Sequence, residues 1–60
     1  MRKLRQTTPR DIALIAEAIG FLRRARLDLG EAGCRNAARY VSRALKSAEG
    51  AQRHAERATR

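Results

Sequence analysis

CRNAARYVSRALKSAEGAQRHAERA, residues 34–58, decides the architecture. Its small apolar residues stand at Cys34, Ala37, Val41, Ala44, Ala48, Ala51, Ala55 and Ala58, so the intervals alternate three and four without a break. That alternation is a heptad seam on one helix, with methyl groups for most of its knobs. Small knobs let helix axes approach toward the short end of the roughly 8–10 Å range. Tyr40 and Leu45 flank the seam and add bulk. The pairs Glu31/Arg35, Glu49/Arg53 and Glu56/Arg60 place Glu four residues before Arg, the favourable orientation on a helix. The stretch reads as a helix over about 32–58.

The opposite side of this helix is basic. At roughly 100° per residue, Arg35, Arg39, Arg43, Lys46, Arg53 and Arg57 fall within a wedge of about 80°. Arginine meets phosphate bidentately, so such a stripe suits a phosphate backbone. It equally suits a solvated face that keeps a small assembly in solution. Phe21 and Tyr40 are the chain's aromatic residues, too few for the base-stacking platforms that hold single strands.

Upstream, Thr8-Pro9-Arg10-Asp11 opens a first helix. Thr8 fits the N-cap, Pro9 the first helical position, and Asp11 the positive end of the helix dipole. The helix is predicted over about 9–29. Leu14, Ile15, Ala18, Ile19, Phe21, Leu22, Ala25 and Leu29 cover an arc of about 160° on it, wider than one packing partner needs. Gly30 then suits a left-handed C-cap, which sets a turn at about 30–32. A turn that short makes an antiparallel hairpin. Residues 1–7 form a basic arm with no periodicity and read as flexible.

The fold expected is therefore all-α: a two-helix antiparallel hairpin. Sixty residues with this much alanine build a thin core, and such chains need a helper. One cysteine rules out an intramolecular disulfide, and one histidine makes a Cys/His zinc site within the chain untenable. Association is the helper that remains, and a homodimer forming a four-helix bundle is the simplest form. Its core and interface are assigned to Ile12, Ile15, Ile19, Leu22 and Leu29 with Ala37, Val41, Ala44, Ala48, Ala51 and Ala55.

Ala37, Tyr40, Ala44 and Leu45 in the run Ala37–Leu45 follow an A-x-x-Y-x-x-x-A-L pattern. In this the second helix resembles that of a tetratricopeptide repeat. The resemblance implies a helix-turn-helix unit whose relatives stack into peptide-binding superhelices. The chain holds one such unit, and a lone repeat cannot bury its faces.

These features point to a small adapter or regulator that works as a homodimer through protein contacts. The alternative is a basic hairpin dimer that binds nucleic acid through the Arg stripe with low sequence specificity. The formal charge of +8 favours an acidic protein or nucleic acid as partner. An enzyme is not expected: Asp11, Glu17 and Asp28 are spread along the first helix and form no acid/base pair, and no catalytic, metal-binding or cofactor motif is present. Cys34 reads as a small buried apolar residue. The longest apolar run, Ile12–Leu22, is too short to span a membrane and contains Glu17, and a lone cysteine without a leader-like segment suggests the cytoplasm.

Overall fold

The structure is a computed structural model that describes residues 7–58. Within them two helices, α1 (Pro9–Glu31) and α2 (Arg35–Ala58), pack against each other as a hairpin. The basic arm, apart from Gln6's successor Thr7, lies outside the described residues, as does Arg60. The molecule measures 40 × 25 × 14 Å. It is one helix thick, so each helix meets the other along one side and both broad faces are open.

α1 begins where its sequence says. The Thr8 hydroxyl accepts the Asp11 N–H at 3.2 Å, and the Asp11 carboxylate accepts the Thr8 N–H at 3.0 Å. This reciprocal pair satisfies two backbone donors that the helix start would otherwise leave orphaned. Pro9 at the first helical position sacrifices no hydrogen bond.

The turn differs from expectation. Gly30 stays helical, α1 continues to Glu31, and Gly33 takes the left-handed conformation with φ +78°. Gly33 N–H donates to the Gly30 carbonyl at 3.1 Å, and Cys34 N–H donates to the Leu29 carbonyl at 2.8 Å. Those two bonds are a Schellman closure. Either glycine can take a positive φ, but closing on Gly33 lengthens α1 and keeps its last carbonyls paired. The turn therefore spans 32–34 rather than 30–32, and α2 starts at Arg35 rather than 32. Cys34 supplies the carbonyl that accepts the Ala38 N–H, the first bond of α2 (2.9 Å). Its thiol is exposed, not buried, because it sits in the turn ahead of the packed length.

The core is small. Among the described residues Ile19, Leu45 and Ala55 are the buried apolar ones, each 4% exposed. Around them Ile12, Ile15, Leu22, Ala25 and Leu29 of α1 are half-buried, as are Ala37, Ala38, Val41, Ala48 and Gln52 of α2. Two large buried side chains give little to set against the conformational entropy of ordering helices of 23 and 24 residues.

Candidate interaction faces

The seam read from the sequence divides in two. Val41, Ala48 and Ala55 turn toward α1, and Ala37 is half-buried at the edge. Ala44 and Ala51 are exposed, as are Cys34 and Ala58. The packed line within the hairpin runs through Ala38, Val41, Leu45, Ala48, Gln52 and Ala55, which also alternates three and four. Leu45 explains the change of register. It is the largest aliphatic side chain on α2, and turning it inward carries Ala44 and Ala51 out. The bulk of Leu45 against the methyl of Ala44 was the signal that could have placed it in the core.

Of the α1 residues assigned to core or interface, Ile19 is buried and Ile12, Ile15, Leu22 and Leu29 are half-buried. The broad apolar arc of α1 is thus split. Ile15, Ile19, Leu22 and Leu29 meet α2, while Leu14 (52% exposed), Ala18 and Phe21 (68% exposed) do not.

One contact fixes which sides of the helices share a face. Arg23 Nη2 donates to Glu49 Oε2 at 3.3 Å. At roughly 100° per residue, each of these residues sits some 70–85° to the same rotational side of its helix's packed line. In an antiparallel pair, matching sides lie on one broad face. The opposite sides must share the other. That second face carries Leu14, Ala18, Phe21 and Ala25 from α1, and Ala37, Tyr40, Ala44, Ser47 and Ala51 from α2. No Lys, Arg, Asp or Glu falls among these positions, although a third of the chain is charged; Arg10, Asp28 and Arg43 stand at the rim, Arg43 5.8 Å from the Tyr40 ring centroid.

The basic residues lie elsewhere. Arg35, Arg39, Arg43, Lys46, Arg53 and Arg57 are all exposed. They run down the outer side of α2 and toward the face that holds the Arg23–Glu49 pair. α1 carries four arginines against four acids and is neutral, whereas α2 carries six basic residues against two acids. Neither acid enters the stripe: at roughly 100° per residue Glu49 and Glu56 fall about 40–60° outside its wedge. Glu49 pairs with Arg23 and not with Arg53, as the four-residue spacing had suggested. Glu31 and Arg35 sit on different helices, so that expected pair does not share a helix face. Neither the Arg23–Glu49 nor the Arg24–Asp28 ion pair uses a stripe cation, and Arg43 stands 5.8 Å from the centroid of the Tyr40 ring.

Among the described residues no group of three or more His, Cys, Asp or Glu side chains is placed to hold a metal ion, and no helix is long and apolar enough to cross a membrane. No protein-family model, no curated protein and no solved structure matches the chain. The class the fold defines is an α-helical hairpin with one charge-free face and one basic side.

Proposed function

We propose that the chain is a non-enzymatic adapter that acts through protein contacts as a homodimer, with the charge-free faces of two copies closing an antiparallel four-helix bundle. The observation that carries this reading is the face of Leu14, Ala18, Phe21, Tyr40, Ala44 and Ala51, which is exposed, largely apolar and without a charged residue of its own, Arg43 standing over the Tyr40 ring at its rim. A hairpin with three buried residues among those described gains most of its missing core by covering that face. A second copy fits it for two reasons. The face holds both bulk, in Phe21 and Tyr40, and small residues, in Ala18, Ala44 and Ala51, the mixture from which an isologous interface can be made self-complementary. The face also lets two strongly basic chains approach without bringing their Arg stripes together.

Light scattering across a concentration series tests the proposal. The expected result is a mass twice that of the chain, with a melting temperature that rises with concentration. A cooperative melt from a monomer, unchanged between about 5 and 200 μM, overturns it.

A further inference from the structure

We infer that the basic side of α2 is a docking track for the sugar–phosphate backbone of double-stranded nucleic acid. This does not depend on the dimer, although a bundle closed through the charge-free faces leaves the stripe of each copy outward.

Three observations carry it. The first is linearity: from Arg35 to Arg57 the stripe covers 22 helical steps, or roughly 33 Å of rigid helix. A rigid row of like charges matches a polymer that carries its own charges in a row, about one per 1.7 Å of duplex axis. The second is availability. The stripe residues are exposed, neither the Arg23–Glu49 nor the Arg24–Asp28 ion pair uses one of them, and the two acids of α2 lie outside their wedge. In α1 the charges balance and Arg24 is engaged by Asp28 at 3.2 Å, so the excess is confined to one side of one helix. The third is chemistry. Five of the six cations are arginine, whose planar fork meets phosphate oxygens in pairs. One aromatic residue, Tyr40 beside Arg43, borders the stripe, too few to stack the bases of a single strand. The other side of α2 is mostly alanine, and its one leucine, Leu45, is buried against α1, so it offers no exposed Trp, Phe or Leu to seat an interfacial helix in a membrane. Duplex backbone is the polyanion whose straight row of phosphates fits this row of arginines best, bound with little regard to base sequence because phosphate contacts carry none.

The test is fluorescence anisotropy with the full chain and 20-base-pair DNA and RNA duplexes of one sequence, at 50 and 200 mM salt. Binding to either duplex should weaken on the order of a hundredfold between the two salt concentrations, as four or five neutralised phosphates require. The DNA and RNA arms separate the two sources of the same phosphate row, and preference for either supports the track. R39Q/R43Q/R53Q should flatten the logarithmic salt slope by about 2–3. Glutamine is a good helix former at exposed sites, and circular dichroism checks that the hairpin persists. R39K/R43K/R53K should restore most of the binding. The control R10Q/R24Q/R26Q removes as much charge from α1. The inference is overturned by an equal loss in that control, by salt-insensitive binding, by no binding to either duplex, or by polyglutamate or phosphatidylserine vesicles competing as well as the duplexes.

Discussion

Arg23 and Glu49 meet at 3.3 Å across the hairpin, Arg23 from the middle of α1 and Glu49 from the second half of α2. Their pairing sorts the surface, because it puts the Arg23 side of α1 and the Glu49 side of α2 on one face and leaves the charge-free sides together on the other. Its energetic weight is a separate matter. The side chains are 61% and 34% exposed, so water screens the attraction. A double-mutant cycle of Arg23→Ala and Glu49→Ala should give a coupling of about 0.2–1 kcal/mol by denaturant unfolding, falling as salt is raised. A coupling of zero or of unfavourable sign would show that the two side chains do not meet in solution.

The two glycines near the turn should respond in opposite directions. Gly30 is helical, and an added Cβ meets nothing within 4 Å. Gly30→Ala should therefore stabilise by about 0.5–1 kcal/mol. Gly33 is just as open, but its φ of +78° is disfavoured for any residue with a Cβ. Gly33→Ala should destabilise by about 1–2 kcal/mol on conformational grounds alone. Urea midpoints of the two variants decide it, and shifts of the same sign would place the left-handed cap elsewhere.

The register of α2 makes its own forecast. Leu45 is 4% exposed and Leu27 is 63% exposed. Leu45→Ala should cost about 2–5 kcal/mol, enough in so thin a core to remove a cooperative thermal transition. Leu27→Ala should change stability by less than about 1 kcal/mol. Ala55, also 4% exposed, should tolerate no bulk, and Ala55→Leu should cost about 1–3 kcal/mol through overpacking. If Leu45→Ala melts like the parent, the packed line runs through Ala44 instead.

What could be read from the sequence divides along a physical line. The start of α1 was legible because Thr8, Pro9 and Asp11 act within one turn and need no tertiary partner. Two helices joined by a short turn were legible from periodicity and glycine. The choice between Gly30 and Gly33 was not, since both satisfy the steric demand and the closure is selected by the bonds to Leu29 and Gly30. Nor was the register of α2. An alanine heptad carries little preference between adjacent lines, and Leu45 settles it through volume, which spacing ignores. The basic stripe was visible because it depends on helix angle alone. The pairing of Glu49 with Arg23 rather than Arg53 was hidden, because it needs the second helix in place.

Phe21 and Leu27 offer the sharpest test of the dimer. Both are large, apolar and comparably exposed, at 68% and 63%. They differ in where they stand: Phe21 belongs to the charge-free face, and Leu27 lies on the Arg23 side of α1. Glutamate has a better helix propensity than phenylalanine and one close to that of leucine, so neither replacement weakens α1 as a helix. Phe21→Glu should nonetheless lower the melting temperature and halve the mass seen by light scattering, because two copies would bury facing carboxylates without partners. Leu27→Glu should leave the mass unchanged and alter stability by no more than about 0.5 kcal/mol. Equal loss of assembly in both would mean that association does not use the face that Arg23 and Glu49 define. Loss in Leu27→Glu alone would move the interface to the side that carries the stripe, and the charge-free face would then have no role in holding copies together.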